Sequence, residues 1–335
     1  MIKKGMGMKL IAEKLEISIS TVSRALRDAH DVNPVTRQKV MSLAKELNFK
    51  PNKNASALAS GSTKNIGVVI PFITNYYFST VISGIQEEAI SQGYQIVLYI
   101  SNDDLAREIQ LINNLESNNL DGLLVSISSN TTSTQHYEDL MNEGCPIVFF
   151  DRIPAHLNAS KVMQGDFEGA YLATNHLIQK GYRKIAHLAG PSGLDLTNER
   201  LNGYLCALKD AGISNNPSFI KYAGFTRNEG EVSCRELYQG ADQPDAIFAV
   251  NDLKAVGAIQ ALKKMGMRVG EQVGVIGFTD DPIALIIEPN LTTIHEPAFE
   301  IGKQSCQLLI KHIKNPSFEA RTISLACTLV ERDSV

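Results

Sequence analysis

Three polar side chains, Ser20, Arg24 and Arg27, repeat at i, i+4 and i+7, so a helix would line them along one outward face. An arginine on such a face is a natural bidentate partner for guanine O6 and N7, while serine hydroxyls suit phosphate oxygens. Bond-breaking chemistry finds no comparable support. The chain has no Gly-x-Ser-x-Gly elbow, no phosphate-binding Gly-x-x-x-x-Gly-Lys loop and no Gly-x-Gly-x-x-Gly after a strand. The seven histidines (30, 136, 156, 176, 187, 295, 312) show no His-Glu-x-x-His pair and no ligand-like spacing. His187, inside a predicted strand, reads as a hydrogen-bonded core residue. The five cysteines are odd in number and scattered, which fits a reducing cytosol and argues against a disulfide frame or a zinc site. No enzyme activity, no cofactor and no metal are expected.

The elements that must hold those side chains are short helices. Leu10, Ile11 and Leu15 form an apolar stripe for a first helix that ends near Glu16. Ser18 then stands at an N-cap position, with Thr21 three residues on. The helix it opens, about 19–26, turns Val22 and Leu26 inward. A third helix starts with Asn33 as cap and Pro34 at the first helical position, and its stripe is Val40, Leu43, Ala44 and Leu47. Three short helices with a tight turn between the first two make a helix-turn-helix, whose second helix presents its N-terminal residues to base edges in the major groove.

Charge supports this division. Residues 1–61 carry 11 Lys+Arg against 5 Asp+Glu, and the remainder carries 21 against 31, so a basic head of +6 precedes an acidic body of −10. Such asymmetry points to a nucleic-acid-binding module attached to something else. At 335 residues with 44% hydrophobic and 20% charged residues, the chain can bury a sizeable core, which excludes a disordered or collagen-like protein. No apolar run approaches the ~18 residues of a spanning helix, and residues 1–7 carry lysines with no apolar run behind them, so neither a membrane role nor a secretory leader is expected.

The run Ala12-Glu13-Lys14-Leu15-Glu16-Ile17-Ser18-Ile19-Ser20-Thr21-Val22-Ser23-Arg24-Ala25-Leu26 resembles the N-terminal signature of the lactose/galactose repressor (LacI/GalR) family. Thr36-Arg37 and Leu47-Asn48-Phe49-Lys50-Pro51-Asn52 extend the resemblance. It implies roles by position. Ile19, Ser20 and Arg24 would read bases, and Ser18, Thr21, Ser23, Arg27, Asn33 and Thr36 would lie on the DNA, several of them on phosphates. One departure stands out: where relatives begin the first helix with a Thr cap and an Asp, this chain has Gly7 and Leu10, so that helix start is expected to be frayed or shifted. Residues 54–62, with Asn54, Ala57 and Leu58, are too short and small to hold a helix alone. Read alone the segment is a flexible linker; the resemblance implies instead a hinge helix that forms when two copies meet over operator DNA, with Leu58 as a minor-groove wedge.

The body alternates strands and helices. Strands are expected near 66–71, 95–101, 121–127, 146–152, 184–190, 219–222, 245–250 and 273–278, and helices near 76–92, 104–118, 133–143, 166–180, 196–211, 227–238 and 252–265. This pattern predicts an α/β body of two lobes, each a parallel sheet flanked by helices, with a ligand cleft at the strand carboxyl ends. Ile66-Gly67-Val68-Val69-Ile70-Pro71, Arg200-Leu201-Asn202-Gly203-Tyr204, Asn251-Asp252 and Leu291-Thr292-Thr293-Ile294 carry the resemblance onward, and with it the periplasmic sugar-binding fold. The expected domains are a head at 1–53, a hinge at 54–62 and a body at 63–335, with an N-lobe of about 63–162 and 293–322 and a C-lobe of about 163–292 and 323–335.

Candidate effector contacts follow from the same resemblance. Tyr77 and Phe78 open the first body helix, where an aromatic face can stack on a ring or pack in the core. Arg200 matches the family's effector-binding arginine, with a structural ion pair as the alternative. Phe225 takes an aromatic cleft position and Asn251 an amide at a strand end, while Asp252 is read as the cap of the next helix. Many relatives place a ligand-gripping aspartate after Gly277-Phe278, where this chain has Thr279 followed by Asp280 and Asp281. Either Asp280 takes over, or the cleft has lost a carboxylate and tolerates an anion beside Arg200. Asp166 is offset from the family's position and weighs lightly. The expectation is a cytoplasmic homodimeric repressor. It binds pseudo-palindromic double-stranded operator DNA and is switched by a small-molecule effector, expected to be a carbohydrate. A relative controlled by a protein partner and a solute-binding protein are the alternatives.

Overall fold

The structure is a computed structural model and describes residues 6–26, 31–49, 62–115, 120–154 and 156–335. The chain divides into two compact units between Thr63 and Lys64.

In the first unit, helices α1 (Met6–Leu15), α2 (Ile19–Leu26) and α3 (Pro34–Glu46) close around Ile11, Val22, Ala25, Val32, Val40 and Ala44. Val22 and Ala25 are the fully buried pair of α2, while Leu26, expected inward, is only partly covered. The turn after α1 passes through Glu16 at φ 53°, and the Ile17 amide reaches back to the Ala12 carbonyl at 3.1 Å. This is the geometry that closes a helix C-terminus, here without the usual glycine. The helix starts at Met6, and Gly7 lies under Phe49: a Cβ there would stand 2.2 Å from the ring. Packing against Phe49 therefore explains a glycine where relatives place a threonine.

The second unit holds two parallel sheets. Strands β1 (Asn65–Ile70), β2 (Gln95–Ile100), β3 (Gly122–Val125), β4 (Ile147–Phe150), β5 (Ser160–Gln164) and β11 (Thr322–Leu325) form the first, in the order β11-β5-β4-β3-β1-β2. Strands β6 (Ile185–Ala189), β7 (Ile220–Tyr222), β8 (Ala246–Ala249) and β9 (Gly274–Ile276) form the second, in the order β7-β6-β8-β9. Strands β10 (Thr293–His295) and β12 (Thr328–Val330) pair antiparallel. Alternate residues of each buried strand feed opposite cores. In the first sheet Val68, Leu124, Val148 and Phe150 face one way, and Val69, Leu123, Val125 and Phe149 the other.

The helices of this unit are α4 (Tyr76–Ser91), α5 (Leu105–Asn113), α6 (Gln135–Asn142), α7 (Asp166–Gln179), α8 (Asp195–Asp210), α9 (Arg227–Leu237), α10 (Asp252–Lys264) and α11 (Ala298–Lys314). The expected helix at 104–118 ends at Asn113, and 116–119 lie outside the described residues. Strands β5, β10, β11 and β12 and helix α11 have no counterpart in the sequence reading. The chain leaves the first sheet after Gln164, returns after His295 and leaves again after Leu325. Each crossing falls two or three residues beyond its expected place, because β5 runs on to Gln164, β10 spans Thr293–His295 and β11 spans Thr322–Leu325.

Helices α4 and α11 touch backbone to backbone through Gly84 and Gly302. A Cβ on Gly302 would stand 2.0 Å from the Val81 carbonyl oxygen, and one on Gly84 2.0 Å from that of Phe299. Gly302→Ala is therefore expected to cost about 3 kcal/mol of stability as overpacking, read as a lowered midpoint in urea at unchanged slope.

Candidate functional site

In the first unit, Ser18 caps α2. The Thr21 amide donates to its hydroxyl oxygen at 3.0 Å, and the Ser20 and Thr21 hydroxyls lie 2.7 and 2.8 Å from it. This cluster sits at the positive end of the helix, where backbone N–H groups favour phosphate. Ile19, Ser20 and Arg24 are exposed along one side of α2, and Thr21 and Ser23 are half-buried beside them. Arg24 pairs with Asp31 at 2.8 Å, with both side chains about half exposed. An exposed pair of this kind is worth little and is easily exchanged for another acceptor. Asn33 caps α3 by accepting from the Val35 amide at 2.9 Å, and Thr36 follows half-buried in its first turn. Arg27, Asn54, Ala57 and Leu58 lie outside the described residues.

In the second unit, a buried polar network gathers where the chain crosses between the sheets. Arg200 on α8 donates from Nε to Asp166 at 2.7 Å, from Nη2 to Glu296 at 2.7 Å and from Nη1 to the Val250 carbonyl at 2.6 Å. Its guanidinium lies 3.6 Å from the Phe278 ring centre. Gln164, at the end of β5, donates to Asp151 and Asp166 at 3.3 Å each and accepts from the Tyr77 hydroxyl at 3.2 Å. Asp151 also accepts from Ser126 at 3.2 Å. Arg200, Asp166, Glu296 and Asp151 are all buried. Burial raises the carboxyls of Asp151 and Glu296, and pushes Asp166 up to about 7. Burial opposes the charge on Arg200, but Asp166 and Glu296 outweigh it and hold the guanidinium charged. Arg200 thus stands in the ion-pair arrangement, in the same network as Tyr77.

Phe78 is 2% exposed and packs in the core. Phe225 is half-buried, and the Arg152 guanidinium sits 4.9 Å from its ring centre and 5.9 Å from that of Phe78. Arg152 is held in turn by Asp103 at 2.6 Å. Since Phe225 follows β7 and Arg152 follows β4, this stack joins the two lobes.

Two expectations need correction. Asn251, not Asp252, caps α10: it accepts from the Lys254 amide at 2.9 Å and donates to the Phe225 carbonyl at 3.0 Å. Asp252 turns inward, taking the Asp281 amide at 2.8 Å and the Thr293 hydroxyl at 2.6 Å. Asp280 does not take over the cleft aspartate's place either. The backbone turns through φ 129° at Thr279 and 63° at Asp280, which directs that carboxylate to Arg332 at 2.6 Å and His295 at 3.1 Å. Thr279 stays close to the network, its hydroxyl among the groups favouring ionised Glu296. The cleft thus lacks a carboxylate at that position, but Asp151, Asp166 and Glu296 lie near Arg200, so an anion beside that arginine would meet like charge.

Sequence reading missed Asp151, Arg152, Gln164 and Glu296. Asp151 and Arg152 follow the apolar run of β4 directly, at a strand's carboxyl end, and that position alone marks them as candidates. Glu296 offers no such local signal. Lys254, fully buried, donates to the Ala189 carbonyl at 2.5 Å, and burial lowers its amine to about 8. His187 is buried in its strand near the Phe248 carbonyl at 3.1 Å, and burial lowers it to about 3. That is the core role expected for it. Among the described residues, no helix is long and apolar enough to cross a membrane, and no cluster could hold a metal ion.

Comparison with known proteins matches residues 7–52 to the model for bacterial regulatory proteins of the lacI family, and residues 174–335 to a periplasmic binding protein-like domain. The chain is 32% identical to the HTH-type transcriptional repressor PurR of Vibrio vulnificus over 328 residues, covering 98% of each chain. It is also 32% identical to the ribose operon repressor of Haemophilus influenzae over 329 residues, again covering 98% of each. Among solved structures it resembles the transcriptional regulator CelR in complex with cellobiose (TM-score 0.77, 28% identity, 98% and 99% of the two chains). It also resembles the lac repressor dimer bound to operator and the anti-inducer ONPF (TM-score 0.85, 25% identity, 97% of each chain).

Proposed function

The chain belongs to the lacI family of bacterial regulatory proteins, and on that premise we propose a transcriptional repressor switched by a small hydroxyl-rich metabolite bound between its lobes. The observation that carries this reading is the buried network around Arg200. It ties Tyr77 and Asp151 of one lobe, through Gln164, to Asp166 and Arg200 of the other. A ligand that competes for these bonds acts on both lobes at once. The relatives' names, two repressors and a cellobiose complex among them, support a regulator and not an enzyme.

On this reading the protein works as a homodimer in the cytoplasm, each head on one half-site of a pseudo-palindrome. Ser20 and Arg24 read bases. Ser18, Thr21, Ser23, Asn33 and Thr36 hold phosphates, and Leu58 in the 54–62 segment wedges the minor groove. Whatever change the metabolite makes in DNA affinity, DNA makes in metabolite affinity.

Selection of binding sites from random DNA by the purified full-length protein tests the DNA half of this proposal. A two-fold symmetric motif is the expected product, and recovery of an asymmetric motif or none would refute it. On the selected site, Arg24→Ala should relax the preference at one position per half-site by about 1–3 kcal/mol. A uniform loss over all sequences would instead place Arg24 on phosphate.

A further inference from the structure

The charges of the cleft do not balance. Three buried carboxylates, Asp151, Asp166 and Glu296, and the partly exposed Asp103 stand in this region against two guanidinium groups, Arg152 and Arg200. Arg152 is bonded to Asp103, and Arg200 to Asp166 and Glu296. Asp151 takes hydrogen bonds only from neutral partners, Ser126 at 3.2 Å and Gln164 at 3.3 Å; Arg152 and Arg200 act on it through space, yet burial still raises its carboxyl. A buried carboxylate is costly unless a cation or a proton compensates it. No three of these groups converge closely enough to hold a metal ion.

A second feature points to a ligand. The Thr197 hydroxyl, on the first turn of α8 one turn before Arg200, is fully buried with no hydrogen-bond partner. It lies beside Gly190 together with the Phe225 ring: a Cβ on Gly190 would stand 2.6 Å from the hydroxyl and 2.8 Å from the ring edge. A buried hydroxyl without a partner is a group that a ligand hydroxyl would satisfy.

We propose that the metabolite carries a protonated amine among its hydroxyls, as an amino sugar does, with the ammonium against Asp151 and its neighbours and a hydroxyl on Thr197. The inference rests on reading this cleft as the effector site. An ammonium offers three donors and one positive charge, which matches the spare acceptors and the excess negative charge together. A neutral polyol supplies donors without charge, and an acid sugar adds to the repulsion. In the free protein a proton shared among these carboxylates serves instead, since burial raises Asp151, Asp166 and Glu296 alike. Seating the amine then expels that proton.

The test is calorimetry on the full-length protein at pH 7 with glucosamine, galactosamine and mannosamine. Each is set against its parent sugar and its N-acetyl derivative, which keeps the shape and removes the charge. At least one amine should bind tenfold or more tightly than both neutral counterparts. Its heat in phosphate and in Tris should differ in the sense of proton release. Asp151→Asn, which keeps size and hydrogen bonding, should narrow the preference to under threefold. A parent sugar binding as tightly as its amine, or no binding by any amine, overturns the proposal. A neutral sugar that binds and shifts operator affinity would do so while leaving the proposed function standing. An operator complex indifferent to every sugar in the set would remove both.

Discussion

Arg200→Ala is expected to lower the unfolding free energy by about 3–5 kcal/mol, because removing one partner of a buried ion pair strands the others. Asp166 and Glu296 would remain at 3% and 4% exposure with their shared cation gone. The loss should depend on pH with a definite sign. A carboxyl raised in the folded state costs nothing below its unfolded value near 4. It costs progressively more as pH rises toward its folded value, about 7 for Asp166 in the intact protein. Removing Arg200 takes away a group that lowers this carboxyl, so the variant's deficit relative to the parent should be largest above pH 7 and shrink as pH falls to about 7. Arg200→Lys should recover only part of the loss, since one ammonium cannot reproduce a fork that bonds Asp166, Glu296 and Val250 at once. Chemical denaturation of the three proteins decides this, and a parent-like midpoint for Arg200→Ala would show that the pairs carry no stability.

A second large effect is expected from salt. The head carries a balance of +6 over residues 1–61, and two heads act on one site in the proposed dimer. Each neutralised phosphate releases condensed counterions, so six or more such contacts should lower affinity about 10³-fold between 50 and 200 mM salt. Fluorescence anisotropy on the selected site gives the slope directly. A change under tenfold over that interval would mean that the lysines and arginines of the head do not lie on the backbone.

The head was legible in the sequence because its determinants are local. Ser18 and Asn33 are caps, and Ile11, Val22, Val40 and Ala44 follow a helical period, so each element announces itself within a dozen residues. The alternating strands and helices of the body were legible for the same reason up to residue 278, except β5 at the first crossing between lobes. Beyond that point the chain crosses between lobes, and the short strands β10, β11 and β12 owe their existence to distant partners, not to their own pattern. The cleft shows the limit more sharply. Its members stand at 77, 151, 164, 166, 200 and 296, and only the fold brings them together. Arg200 was found by resemblance, and Glu296 had no signal at all. Asp280 misled because it follows a strand end as a ligand-gripping aspartate should. Yet the left-handed turn at Thr279 and Asp280 gives it to Arg332.

One ligand in the body should change the grip of the head on DNA. The most direct measurement is the affinity of the full-length protein for its selected operator, with and without a saturating sugar identified by calorimetry. It is paired with the affinity for that sugar with and without operator. A shift of at least fivefold is expected in the first, in either direction, and an equal shift in the second, as linkage requires. An operator affinity unchanged by a bound sugar would contradict it.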